Sequence, residues 1–351
     1  MSKISLAVKY RPKSFDDVVE QTAIKDILTD QIETDTFQHS YLFCGPAGCG
    51  KTTAARIFAN DINKGKGNPI EVDAASNNGV DNVREIIEGA RRKALDSDYK
   101  VYIIDECHML STGAWNAMLK LLEEPPKTTV FIMCTTDPQK IPATILSRVQ
   151  RYNFSKISLD NIISRLQYII NCENEDILCE GGPDGAYYYE DAAVQYIAKL
   201  ADGGMRDAIT MMDKCLSLSP DLTVENVVKA LGTVDYNIHF DLLFTMETGA
   251  KDTAVKIIED VYNSGKDLKQ FVKQFQYFVL DVCKYKMFND FKYVSIPALP
   301  EYKEKLDDED LEMALGVLEW ARQLNSDIRW ESNPKAMTQT AVVLYKAGEE
   351  E

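Results

Sequence analysis

Three short stretches carry residues whose types and spacing point to phosphate chemistry. The first, GPAGCGKT from Gly45 to Thr52, matches the phosphate-loop pattern GxxxxGK[ST] at every fixed position. Gly45, Gly48 and Gly50 let backbone amides turn inward around anionic oxygens, and Pro46, Ala47 and Cys49 complete the loop between them. Lys51 is placed to reach the β- and γ-phosphates of a nucleotide, the Thr52 hydroxyl to ligand Mg²⁺, and Thr53 to continue the cradle into a helix. The second stretch is KVYIIDE, an apolar run that ends on adjacent carboxylates. Asp105 is expected to hold Mg²⁺, directly or through water, and Glu106 to orient or deprotonate an attacking water. The third, VFIMCTTDP, ends in Thr135 and Thr136. The carboxyl ends of parallel strands line a ligand crevice, so one of these hydroxyls is a candidate contact for the γ-phosphate or the water.

Such residues need a sheet to bring them together. From Ile4 to about Phe154, short apolar runs alternate with amphipathic stretches, the βαβ rhythm of a parallel sheet. SYLFC, IEVDA, KVYIID and VFIMCTT read as strands. TTAARIFANDI, VDNVREIIEGARRKAL and GAWNAMLKLLEE read as helices. The expected fold is therefore an α/β nucleotide-binding domain over residues 1–154, followed by chain in which helical spacing takes over. In residues 155–220, Ile162, Ile163, Leu166, Ile169 and Ile170 share one helical face, and GGPDG at Gly181–Gly185 reads as a turn-rich break. Residues 221–351 read as a third, all-helical unit with a frayed acidic end, GEEE.

Bulk properties exclude several classes. A chain of 351 residues with 45% hydrophobic and 27% charged residues is a globular chain of more than one domain. Its apolar runs are too short and too interrupted to span a bilayer, and MSKISLAVKYRPKSF lacks the apolar core of a signal peptide, so a cytoplasmic protein without membrane partners is expected. The eight cysteines include no CxxC pair, which argues for reduced, mostly buried thiols rather than a disulfide framework or zinc. A formal net charge of −16 opposes binding to nucleic acid by the whole surface and leaves room only for a local basic lining. The run Arg91, Arg92, Lys93 is one candidate, although a solvated helix face explains it equally well.

The stretches KYRPKSFDDVVEQ, HSYLFCGPAGCGKTT, EVDAASNNGVDNVREI, KVYIIDECHMLSTGAWNAMLKLLEEPP, TTDPQKIPATILSR and GGMRDAI follow one another from Lys9 to Ile209. In content and order they resemble the bacterial DNA polymerase III gamma/tau family, ATPase arms of sliding-clamp loaders within the AAA+ group. Weaker similarity in DIRWESNPKAMTQTAVVLYK extends the resemblance toward the end of the chain. The resemblance implies an AAA+ ATPase domain, a helical lid and an all-α collar through which subunits form a pentameric ring. ATP and Mg²⁺ would be its cofactors. A sliding clamp, other loader subunits and primer-template DNA would be its partners, at the replication site in the nucleoid. By the same matching, Tyr10, Arg11 and Pro12 would border the adenine, Thr136 would be the sensor on the third strand, and Arg206 would reach from the lid to the phosphates. Arg148 would be an arginine finger for a neighbouring subunit's nucleotide, a role suited to a planar, permanently charged fork of donors. Asn77, Arg84, Lys120 and Thr144 would meet DNA phosphates through charge, hydroxyls and helix N-termini.

The chain departs from that pattern in three places. Only NKGKGNP stands where family members usually carry a zinc-binding cysteine module, so no zinc is expected. No long extension like that of the tau form is expected, and the family's SRC motif reads Ser147, Arg148, Val149. A compact loader arm, such as a phage or mobile element would encode, fits that economy. Two other readings share some of the motifs. An AAA+ DNA motor such as a branch-migration helicase would use the same loop, acidic pair and finger, but is weakened by DAASNNGVDNVREI and by a third unit without a winged-helix hairpin. A non-hydrolysing scaffold arm of a loader ring is opposed by the intact Lys51, Thr52, Asp105 and Glu106.

Overall fold

The computed structural model describes residues 4–94, 96–179, 186–232, 236–297 and 299–346. They gather into two compact units. The first contains the described residues up to Glu175 together with Ala201–Asp213, and the second contains the remainder.

The first unit is built on a five-stranded parallel sheet in the order β2-β3-β4-β1-β5, from β1 (Ser40–Cys44), β2 (Ile70–Asp73), β3 (Lys100–Asp105), β4 (Thr129–Thr135) and β5 (Gln150–Asn153). Every residue of β1 and β4 is buried, because central strands of a parallel sheet are covered on both faces. Alternate residues feed two separate cores. Tyr41, Phe43, Val101, Ile103, Val130 and Ile132 pack on one face, and Leu42, Tyr102, Ile104, Phe131 and Met133 on the other. The short α1 (Leu6–Lys9) opens the unit; α2 (Thr22–Glu33) and α3 (Lys51–Ile62) cover the first face. The second face is covered by α4 (Val80–Ala90), α5 (Thr112–Glu123) and α6 (Ala143–Leu146). Then come α7 (Leu159–Cys179), α8 (Asp191–Leu200) and α9 (Met205–Leu218). The first unit holds α7 as far as Glu175 and α9 as far as Asp213. In α7, Ile162, Leu166, Ile169 and Ile170 are buried and Ile163 is half-buried.

Two local details differ from the sequence reading. Strand β5 has no apolar run to announce it: at the sheet edge only Tyr152 is buried, so QRYN pairs with β1 through backbone and the packing of that one ring on Tyr41 and Phe43. Helix α4 stops at Ala90 rather than running on to residue 95. Its last carbonyls are taken by side chains from the sheet: Lys100 Nζ donates to Gly89 O (2.8 Å) and Thr129 Oγ1 to Ala90 O (2.9 Å). Arg91, Arg92 and Lys93 follow the helix and are exposed.

The second unit includes a two-stranded parallel ladder, β6 (Tyr188–Tyr189) with β7 (Asp221–Leu222), beside α8 and α10 (Val224–Leu231). Its main core belongs to α11 (Tyr236–Glu247), α12 (Lys251–Asn263), α13 (Leu268–Phe288), α14 (Pro300–Asp308), α15 (Leu311–Asp327) and α16 (Pro334–Leu344). Helix α13 supplies Phe271, Phe275 and Phe278. No stripe announces α11, which buries Phe240, Leu242, Leu243 and Met246 and still exposes Phe244. The expected break at Gly181–Gly185 and the GEEE tail lie outside the described residues. Among the described residues no helix is long and apolar enough to cross a membrane.

Candidate nucleotide-binding site

The phosphate loop leaves β1 through glycines that close packing requires. Gly45 has φ +152°, and a Cβ there would stand 2.5 Å from Phe154 O, because β5 runs directly alongside. Gly45 N donates to Thr135 O (3.1 Å), which ties the loop to the end of β4. Gly48 has φ +70°; its added Cβ would lie 2.9 Å from Gly204 Cα, and its carbonyl accepts from Met205 N (3.1 Å). Gly50, at φ +101°, then turns the chain into α3, whose N-terminal amides and dipole favour an anion.

Lys51 is only 6% exposed. Its Nζ donates to Gly45 O (2.8 Å) and Pro46 O (2.7 Å), and it pairs with no carboxylate among the described residues. A buried ammonium held by two neutral carbonyls of its own loop is an uncompensated charge, and a polyphosphate is the partner that fits it. Thr52 Oγ1 donates to Asp105 Oδ2 (2.9 Å), so the two side chains suited to Mg²⁺ already converge. The other carboxylate oxygen of Asp105 accepts from Glu106 N (3.0 Å).

Glu106 has a left-handed backbone, φ 45° and ψ 45°, a conformation that costs a non-glycine residue roughly 1–3 kcal/mol. The turn sends its carboxylate to the end of β4, where Oε2 accepts from Thr136 Oγ1 (2.9 Å) and Thr136 N (3.3 Å). His108 Nδ1 stands 3.2 Å from the same oxygen and 3.2 Å from Thr135 Oγ1.

A cavity of about 400 Å³ opens in front of these groups. Tyr10, Arg11 and Pro12 border it, with Ala47 to Thr53, Asp105, Glu106 and Arg206. Gly45 and Pro46 contribute the carbonyls that hold Lys51, and Thr136 stands behind Glu106. The lining is basic despite the acidic chain: Arg11, Lys51, Arg56, Arg165 and Arg206 outnumber Asp105, Glu106 and Asp207. The Tyr10 segment is tied down by Tyr10 OH and Lys9 Nζ, both donating to Glu173 Oε1 (2.7 and 2.6 Å), and by Arg165 Nη2, which donates to Tyr10 O (3.1 Å). Burial and the Glu173 carboxylate push the Tyr10 phenol well above its usual range, so it stays a donor. Cys44, Cys49, Cys107 and Cys134 are buried around the loop and the ends of β3 and β4, and burial raises the pKa of each thiol.

Other candidate residues lie elsewhere. Arg148 does not line the cavity. Its Nε and Nη2 both donate to Glu123 Oε1 (2.9 and 2.5 Å), and Nη1 donates to Thr144 O (2.5 Å). Asn77 precedes α4, Arg84 is on α4, Lys120 on α5 and Thr144 on α6, so all four belong to the layer that covers the second face. Arg84, Lys120 and Thr144 are exposed; Arg84 also pairs with Asp81 (3.0 Å), and Asn77 Nδ2 donates to Asp73 O (3.0 Å). The sequence reading missed Arg56, Arg165 and His108. Only His108 had a nearby signal, its place two residues after the acidic pair.

Comparison with known proteins places this architecture. Residues 68–158 match a family model described as DNA polymerase III, delta subunit. DNA polymerase III subunit tau of Bacillus subtilis is 34% identical over 98% of this chain and 63% of its own length. The chain is a homologue of the gamma/tau subunits. Other relatives include the Escherichia coli tau subunit, 32% identical over 76% of this chain, and the Mycoplasma genitalium gamma/tau subunit, 33% identical over 76%. This gamma/tau homologue spans 43% and 46% of those two proteins, so all three curated relatives are much longer. Among solved structures, Thermotoga maritima RuvB, a Holliday junction branch migration motor, aligns with a TM-score of 0.51 at 20% identity, covering 68% of this chain and 79% of that one. That likeness concerns the fold alone. The gamma/tau homologue shares with RuvB an α/β domain on a five-stranded parallel sheet, followed by chain that is mostly helical.

Proposed function

We propose that this gamma/tau homologue is an ATPase arm of a sliding-clamp loader, with an AAA+ domain over residues 1–154, a lid over 155–220 and a collar over 221–351. ATP binding would let a ring open and hold the clamp, and primer-template DNA would trigger hydrolysis that releases the clamp around the duplex. The observation that carries the reading is the convergence of buried, uncompensated Lys51 with Thr52, Asp105 and Glu106 on one basic cavity, in a chain about one-third identical to gamma/tau subunits.

Each residue has a role in this scheme. Lys51 and Arg206 bind phosphates, and Tyr10, Arg11 and Pro12 border the adenine. Glu106 takes a proton from the attacking water while Thr136 holds its carboxylate. Thr52 and Asp105 would hold Mg²⁺, which when bound supplies positive charge to the phosphate oxygens. Asn77, Arg84, Lys120 and Thr144 touch DNA phosphates, contacts that weaken steeply with salt. A pentameric ring is the proposed assembly, and the cytoplasm, at the replication site, the proposed location.

The test is steady-state ATPase of the chain assembled with its partner subunits. Stimulation by clamp and primer-template DNA, without strand displacement, is expected. Strand displacement without clamp stimulation would favour a motor, and no turnover would favour a scaffold arm.

Metal content gives a separate check. With no CxxC pair and only NKGKGNP in place of a cysteine module, elemental analysis of the purified chain should find no stoichiometric zinc. About one zinc per chain would overturn the cysteine argument.

A further inference from the structure

Glu106 must present one oxygen to water while its other oxygen is fixed, and its surroundings divide in that way. Oε2 gathers the Thr136 hydroxyl (2.9 Å), the Thr136 amide (3.3 Å) and His108 Nδ1 (3.2 Å). Oε1 has no protein partner among the described residues. The imidazole is itself constrained, with its side chain 11% exposed and Nδ1 3.2 Å from Thr135 Oγ1. Thr135 Oγ1 accepts from Asp137 N (3.0 Å), so that hydroxyl is anchored in turn. A nitrogen this close to a carboxylate must carry its proton there, because a lone pair would face the oxygen's negative charge. Neutral His108 is therefore the Nδ1–H tautomer, hydrogen-bonded to Thr135 Oγ1 with the Glu106 oxygen at the same distance from Nδ1.

We propose that His108 is a positioning residue for Glu106: it holds Oε2 against the end of β4 so that Oε1 is the oxygen offered to the attacking water. The inference rests on Glu106 being the base of the proposed ATPase. The left-handed turn at Glu106 makes such a restraint useful. A strained backbone and a side chain about one-third exposed leave the carboxylate free to swing into the cavity unless something on the sheet holds it. Thr136 supplies one hold, and His108 supplies a second from the following turn, Cys107–Met109.

Three substitutions of the full chain, in the assembled loader, test this. His108→Leu keeps an apolar body and removes the donor; kcat for ATP should fall roughly 10- to 100-fold, the usual penalty for a misaligned catalytic group, with the affinity for ATP unchanged. His108→Asn returns an N–H near the Nδ1 position and should recover most of the loss. In a Glu106→Gln background, His108→Leu should lower kcat no further, since its effect passes through that carboxylate. A parental kcat in His108→Leu, equal losses in the Leu and Asn variants, or a full additional loss in the Glu106→Gln background would each overturn the proposal. A second readout needs no turnover. The chain has three histidines, so the ¹⁵N signal of His108 can be assigned by substitution. It should move in Glu106→Gln, and an unmoved signal would show that the two side chains do not meet. Parental hydrolysis by Glu106→Gln alone would instead remove the base assignment, whatever the His108 spectrum reads.

Discussion

Rings assembled only from Arg148→Ala chains are expected to lose DNA-stimulated ATP hydrolysis, while the isolated variant binds ATP like the parental chain. The reason is positional. Arg148 is absent from the cavity of its own chain and is held outside it by Glu123 and Thr144. Its side chain is 31% exposed, and the trans role requires only that it leave Glu123 for a neighbour's nucleotide. An arginine finger supplied in trans contributes roughly 10³- to 10⁵-fold to hydrolysis in other nucleotide triphosphatases. Losing a surface pair such as Arg148–Glu123 alone costs only about 0–1 kcal/mol, so the two explanations differ by orders of magnitude. Mixing provides the sharper form of the experiment. Lys51→Ala chains lack the phosphate cation but keep the finger, whereas Arg148→Ala chains keep the cation and lack the finger. In mixed rings some sites combine an intact Lys51 with a neighbour's Arg148, and part of the activity should return. If nothing returns although mixed assembly is confirmed, or if Arg148→Ala by itself abolishes ATP binding in the monomer, the trans role fails.

Glu106→Gln should separate binding from chemistry. Glutamine keeps the size of the side chain and can still accept from Thr136, so the cavity should retain ATP. What disappears is the basic oxygen, and general-base catalysis is worth roughly 10²- to 10⁴-fold. Lys51→Ala should show the opposite pattern, with ATP binding itself weakened, because the bound phosphates lose their buried cation. Nucleotide affinity and single-turnover hydrolysis, measured on both variants in the ring with clamp and DNA, distinguish the two losses. Hydrolysis by Glu106→Gln at the parental rate would assign the base to another residue.

The basic cavity also shows how an acidic protein can take a polyanion. With a net charge of −16 most of the surface is unfavourable to phosphate, so binding depends on arginines and Lys51 concentrated at one mouth. Their local field is not diluted by distant carboxylates, because exposed charges more than a Debye length apart are screened, about 8 Å at physiological salt. The proposed DNA contacts on α4 to α6 work under the same constraint. Arg84 is already paired with Asp81, leaving Lys120 as the less encumbered cation of that set.

The amino-acid sequence alone determined the fold class and the phosphate loop, because both depend on near neighbours in the chain. Buried parallel strands must be apolar throughout, which makes SYLFC, KVYIID and VFIMCT legible, and the loop needs its glycines at fixed offsets. Asp105 and Thr135 end adjacent strands of one parallel sheet, so their approach to the loop follows from strand polarity. Where a contact joins distant segments, only the tertiary structure decided it. Edge strand β5 is half solvated and has no pattern, yet its Phe154 flank is what forces glycine at position 45. Arg165 reaches the cavity from α7, and Tyr10 is anchored there by Glu173 from the same helix; no spacing in the chain encodes either meeting. The hold on Glu106 has the same origin. His108 is two residues away in sequence, but its imidazole faces that carboxylate only because Glu106 adopts a left-handed turn beneath the end of β4. Local patterns state which elements form and which groups end them, whereas side-chain pairing depends on how separate elements pack, a choice made by the whole core at once.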